Sequence, residues 1–267
     1  MIYPNSYSNY VDNLPSYSHK VIISGDSLEF YKYSEPITIT KKQRKNYKKR
    51  SRSDVLTSYI KSPLTYKPVS RFSFRRTRAN ISRLVSANPD LTRFLTLTFE
   101  NDISDLKVSS AIFKLFIMRL KYEVPNLKYV AVPEFTKKGR IHYHLLTNFS
   151  MPNSRLRSIW GHGFVMINKI NHVKFVNLYI AKYISKDLFK VKYFGCQKVL
   201  YSRNLYRPLI FNGFKKINPI LKLIEVFGLE SVFEKSYTNP YNNSSIKYSI
   251  FNLKESPPFL PFLSLLV

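Results

Sequence analysis

Acidic residues are scarce in this sequence. Its 267 residues hold 16 Asp and Glu against 43 Lys and Arg, a net charge of +27 and a pI near 10.0. So few negative charges exclude an acidic, self-solvating chain and call for a polyanionic partner, nucleic acid first and an anionic membrane surface second. Cysteine is almost missing. Cys196 alone excludes an intramolecular disulfide and a multi-cysteine zinc site, reads as a small buried hydrophobe, and fits a reducing, cytoplasmic compartment. No apolar run reaches the ~18 residues that a spanning helix needs. The tail 257–267 (PPFLPFLSLLV) is apolar but short and broken by proline. The first residues lack a basic stretch followed by an apolar core, so no signal peptide is expected. The pattern G-x-x-x-x-G-K-S/T is absent, which removes a P-loop and a built-in ATP-driven helicase. No internal repeat is present, and 7 glycines with 15 prolines exclude a low-complexity chain. With 44% hydrophobic and 15% aromatic residues, the chain can bury one sizeable domain with appendages, or two small ones.

The positive charge is concentrated. Residues 1 to about 40, rich in Tyr, Ser, Asn and Pro, read as an extended lead-in. The segment 41–52 then carries Lys41, Lys42, Arg44, Lys45, Lys48, Lys49, Arg50 and Arg52 with no acid among them. Such density is self-repelling, which predicts a partly flexible, phosphate-binding arm over 1–70. A second run, Arg71-Phe72-Ser73-Phe74-Arg75-Arg76-Thr77-Arg78, interleaves arginines with aromatics, and Arg71, Arg75, Arg76 and Arg78 are further candidates for DNA contact.

From there the periodicity alternates between helix and strand. Ile81, Leu84 and Val85 predict an amphipathic helix over 79–87, ended by Asn88-Pro89-Asp90. Large apolar residues alternate with threonines through 94–99 (FLTLTF), a strand signal. A helix is expected over 108–121, a strand over 127–135, a turn at Thr136-Lys137-Lys138-Gly139-Arg140, and a strand over 140–148. The last two strands form an antiparallel hairpin. A short helix at 156–160, with Trp160 as a core anchor, precedes a turn at 161–163 and a strand near 164–167. His162 in that turn reads as exposed. Residues 193–214 read as mixed strand or loop, and 217–233 as one helix interrupted at Gly228.

Two constellations carry chemistry. His142 and His144 lie at i and i+2 of a strand, so both imidazoles share one face. With a three-residue loop at 137–139, Thr136 pairs with Arg140 and Glu134 falls opposite His142, on that same face. Glu134, His142 and His144 can therefore converge on one cation, which by ligand softness is Zn²⁺, Fe²⁺ or Mn²⁺. The second constellation is a helix over 175–187. Tyr179 and Tyr183 stand one turn apart beside Lys182 and Lys186. They are either tyrosines at a core boundary or two phenolic nucleophiles whose phenolates the ammonium groups favour.

FLTLTF at 94–99, IHYHLL at 141–146 and YIAKYISKD at 179–187, in that order, resemble the three motifs of the HUH-endonuclease replication initiators of rolling-circle plasmids and single-stranded DNA phages. The third resembles the paired-tyrosine motif of the phage members. Glu134, eight residues before the first histidine, matches a carboxylate ligand of related initiators from small circular DNA viruses. The resemblance covers roughly 75–190. It implies an α+β fold: a central antiparallel sheet of about five strands with helices packed on it, the His-x-His strand in the middle and the tyrosine helix above it. It implies an endonuclease domain over 71–214 and leaves 215–267 as an accessory segment, expected to be helical. It implies Mg²⁺ or Mn²⁺ on His142, His144 and Glu134, and a tyrosine, Tyr183 before Tyr179, that nicks one strand of single-stranded or cruciform origin DNA. The nick leaves a 5′-phosphotyrosine link and a 3′-OH primer, and the ends are later rejoined. Lys182 and Lys186 would offset phosphate charge, and helicase and polymerase would be separate proteins in the host cytoplasm. Single-strand transposases of the same superfamily place one tyrosine after the histidines and are shorter. Conjugative relaxases place theirs before. A non-enzymatic nucleic-acid-binding module is the alternative of a different class, though the K/R-G-F/Y-G/A-F-V strand motif of RNA-recognition domains is absent.

Overall fold

The alternation of apolar residues with threonines forms a strand as expected, β3 (Arg93–Thr98), and places Leu95 and Leu97 on one face and Phe94, Thr96 and Thr98 on the other. The structure is a computed structural model. It describes residues 16–38, 71–170, 180, 183, 198–239 and 243–254. The basic segment 41–52, Tyr179, Lys182, Lys186, Cys196 and the tail 257–267 lie outside those residues. The chain divides into two units, Ser62–Tyr206 and the combination of Met1–Lys61 with Arg207–Val267. Both are mixed α and β, each with a five-stranded antiparallel sheet.

In the unit Ser62–Tyr206 the sheet order is β6-β3-β5-β4-β7, from β4 (Tyr129–Phe135), β5 (Ile141–Thr147), β6 (Val165–Lys169) and β7 (Leu200–Tyr201) around β3. The His-x-His strand β5 is central, and the helices cover both faces. On one face α2 (Leu106–Glu123) and α3 (Asn153–Trp160) close a core with Leu95, Leu97, Tyr143 and Leu145. Asp105 caps α2 by accepting from the backbone N–H of Lys107 and Val108, a device worth about 1 kcal/mol. Of the apolar residues that mark this helix in the sequence, Phe116 and Leu120 are buried, whereas Leu115 and Met118 face solvent. Trp160 is the expected anchor. It is fully buried, with Nε1 donating to the Thr98 carbonyl at 3.1 Å. On the other face Ile81, Leu84 and Val85 of α1 (Arg71–Ser86) pack against Phe94, Val130, Val132 and Leu146. The helix α1 begins at Arg71 rather than Ala79, so the arginine–aromatic run is its first two turns, with Arg75, Arg76 and Arg78 exposed.

The other unit corrects the reading of both chain ends. Residues 16–38, expected as an extended lead-in, are the strands β1 (Ser16–Ser24) and β2 (Ser27–Thr38), joined by a two-residue Gly25-Asp26 loop. The segment 215–267, expected as helical, is mixed. The helix α4 (Phe214–Val226) ends before Gly228, and two strands come after it, β9 (Ser231–Thr238) and β10 (Ser245–Asn252). With β8 (Leu209–Asn212) the order is β8-β1-β2-β10-β9. The physical reason is pairing between distant segments: β2 hydrogen-bonds β10 from the far end of the chain, Tyr31 opposite Tyr248. Ile217, Ile220 and Ile224 of α4 cover Val21, Ile23 and Leu28 on one face of this sheet. Among the described residues no helix is long and apolar enough to cross a membrane.

Candidate active site

The site starts from the β4–β5 turn. Gly139 takes a left-handed conformation (φ +81°), the Thr136 N–H donates to the Arg140 carbonyl, and the Gly139 N–H returns to the Thr136 carbonyl, both at 2.9 Å. A side chain at 139 would meet no atom within 4 Å, so the backbone angle, not space, favours glycine here. This turn sets the register the sequence predicts, with Glu134 directly opposite His142. Between the histidines, Tyr143 points the other way. It is fully buried, stacks on Phe113 at 4.4 Å, and shares its hydroxyl with Ser109 (3.1 Å) and Ser110 (3.3 Å) of α2. That anchor fixes which face presents the imidazoles.

His144 is the best-held group. Its Nε2 lies 2.7 Å from Glu134 Oε2. A carboxylate only accepts, so Nε2 carries the proton of this bond. On the other side, Nδ1 faces Thr96 Oγ1 at 3.3 Å, from the neighbouring strand. The imidazole is sandwiched: the Tyr183 ring lies 3.8 Å from it, tilted by 25°, and Phe94 stacks at 5.5 Å from both. Of the expected tyrosine helix, only Ile180, helical and fully buried, and Tyr183, half-buried in a turn, are described. Both pack into the apolar cluster on the histidine face.

His142 is half-buried. Burial, more than anything else, pulls its pKa below the usual imidazole value; His144 and Arg140 add to the drop and Glu134 opposes it. The effect favours the neutral imidazole, the form that can ligate a metal. Arg140 itself is ion-paired with Asp102. Two imidazoles and a carboxylate on adjacent strands suit a divalent cation chemically. As placed, Glu134 is bonded to His144, and among the described residues no three of His, Cys, Asp and Glu are grouped closely enough to hold a metal ion.

Sequence reasoning did not assign Phe94 and Thr96 to the site. The signal existed in the alternation of 94–99, but it needs the pairing of β3 with β5, which puts Thr96 opposite His144 and Thr98 opposite His142.

Residues 92–188, a little over a third of the chain, match the family of replication-associated proteins of the ORF2 type. The matched span holds β3, the hairpin and both candidate tyrosines, and it supports a role in replication initiation. No curated protein and no solved structure matches significantly.

Proposed function

We propose that the chain is an HUH-type replication initiator that nicks one strand of origin DNA through a tyrosine, as rolling-circle replication requires. The observation that carries this reading is the Tyr183 ring 3.8 Å from His144, itself bonded to Glu134. A candidate nucleophile from the third motif thus lies against the candidate ligand set of the second.

His142, His144 and Glu134 would hold one Mg²⁺ or Mn²⁺ once Glu134 releases the His144 N–H. A bound cation would supply Lewis-acid polarisation and orientation of the scissile phosphate. Thr96 and Phe94 hold the imidazole plane in place, and the half-buried His142 stays neutral. Tyr183 gives up its phenolic proton to solvent, and its oxygen bonds to phosphorus while the P–O3′ bond breaks. The departing 3′ oxygen takes up a proton and becomes the primer. The energy of the broken phosphodiester stays in the tyrosyl ester, so rejoining needs no added nucleotide. Tyr179, one turn away in sequence, is the proposed second nucleophile, and Lys182 and Lys186 lower the phenolic pKa and offset phosphate charge. The basic segment 41–52 and the α1 arginines bind origin phosphates. Purified chain with Mn²⁺ and single-stranded origin oligonucleotide tests this. Cleavage with one product attached to protein supports it, and cleavage that leaves both products free overturns it.

A further inference from the structure

The strand β6 and the residue before it present two large apolar side chains where a folded core would not leave them. Val165 is 3% exposed and faces the core beneath α2, whereas Met166 and Phe164 on either side of it are 41% and 55% exposed. Their position across the sheet is specific. Met166 pairs with Thr96, which pairs with His144, which pairs with Val132. The next row is set by the Thr98 N–H, which donates to the Phe164 carbonyl at 2.9 Å; Thr98 pairs with His142, which pairs with Glu134. Phe164 and Met166 thus stand on the same face as Glu134, His142 and His144, two strands away from the histidines. At the usual strand spacing that is about 10 Å. Among the described residues that sheet has no further strand beyond β6.

We infer that Phe164 and Met166 form a stacking platform for an unpaired base of the DNA strand whose phosphate sits at the His–Glu face. The proposal rests on the function proposed above and names the substrate form: single-stranded or locally melted DNA. An aromatic ring and a thioether side by side offer a polarizable, charge-free surface that accepts the face of any base. Paired, stacked bases in a duplex do not expose that face, so the platform selects unpaired DNA. It adds an interaction insensitive to salt to a chain whose charge of +27 supplies the ionic ones. A protein–protein contact at the open edge is the competing use, and the test separates it.

The probe is a thymidine 20-mer with a single 2-aminopurine, titrated with the full chain at several salt concentrations. Phe164→Ala is expected to weaken binding by about 5- to 150-fold, the usual worth of one base–aromatic stack. The slope of log affinity against log salt should stay unchanged. Phe164→Tyr should restore affinity, and Phe164→Leu, which keeps bulk but removes the ring, should not. Wild-type affinity in Phe164→Ala or full rescue by leucine overturns the platform. So does a change in the chain's mass in solution with DNA binding intact. Cleavage by His144→Ala reports separately. If that variant cuts at the wild-type rate, the proposed active site fails while the stacking result stands by itself.

Discussion

At the scale of single residues, the site is a stack of rings around one imidazole. Phe94, His144 and Tyr183 pack face to face, and Glu134 and Thr96 hold the imidazole nitrogens from two adjacent strands. Tyr183→Phe keeps the ring and deletes only the hydroxyl. Its melting temperature should stay near wild type, while covalent attachment to DNA falls by about 10³-fold or more, as for removal of a nucleophile that works as part of a unit. Thermal scanning and a gel assay for linked product read the two effects separately. Glu134→Gln keeps size and a hydrogen-bonding oxygen but removes the charge. It is expected to weaken Mn²⁺ binding at least about 10-fold, measured by titration calorimetry. Equal Mn²⁺ affinity in this variant would remove Glu134 from the ligand set.

At the scale of elements, the strand β3 is held by the turn after α3 as well as by β5. Gly163 in that turn has φ +138°, and an added Cβ would lie 2.5 Å from the Glu100 nitrogen and 2.6 Å from the Thr98 oxygen. Gly163→Ala should cost at least about 1–3 kcal/mol from backbone strain, with the clash added, seen as a lower urea midpoint. On β1, burial, with a smaller push from Lys32, lowers the pKa of His19, which packs between Phe30 and Phe214. Below pH 6.5 the unfolded chain therefore binds more protons than the folded one. Stability is level above that pH and falls as pH drops beneath it. His19→Phe should flatten that decline, measured as urea midpoints at about pH 7.5 and 5. These elements are unevenly legible in the sequence. The β4–β5 register is readable because one tight turn joins neighbours, so counting back from Gly139 places Glu134 opposite His142. The strand pair β1–β2 is not, because its aliphatic run is short and its face is completed by β10, whose partner residues lie beyond 245. In the same way the apolar period of α4 runs on past Gly228 in the sequence, although Val232, Phe233 and Tyr237 belong to a strand that only its pairing with β10 defines.

At the scale of the whole molecule, the excess of cations and the division into two units act together. Because β1 and β2 complete a five-stranded sheet, removing the first sixty residues would destroy that sheet along with the basic segment. Charge is better tested by replacing the eight cations of 41–52 with glutamine. Duplex DNA binding should weaken, and the log–log salt slope should fall by about 0.9 for each phosphate the variant no longer neutralises; an unchanged slope would take this segment out of the interface. The most direct measurement for the molecule as a whole is mass spectrometry of the peptide that carries DNA after reaction of the full chain with Mn²⁺ and a single-stranded origin oligonucleotide. The expected result is a 5′-phosphate ester on Tyr183, moving to Tyr179 or vanishing in Tyr183→Phe. Strand cleavage with no DNA-linked tyrosine anywhere in the chain would contradict a covalent initiator and leave a hydrolytic nuclease in its place.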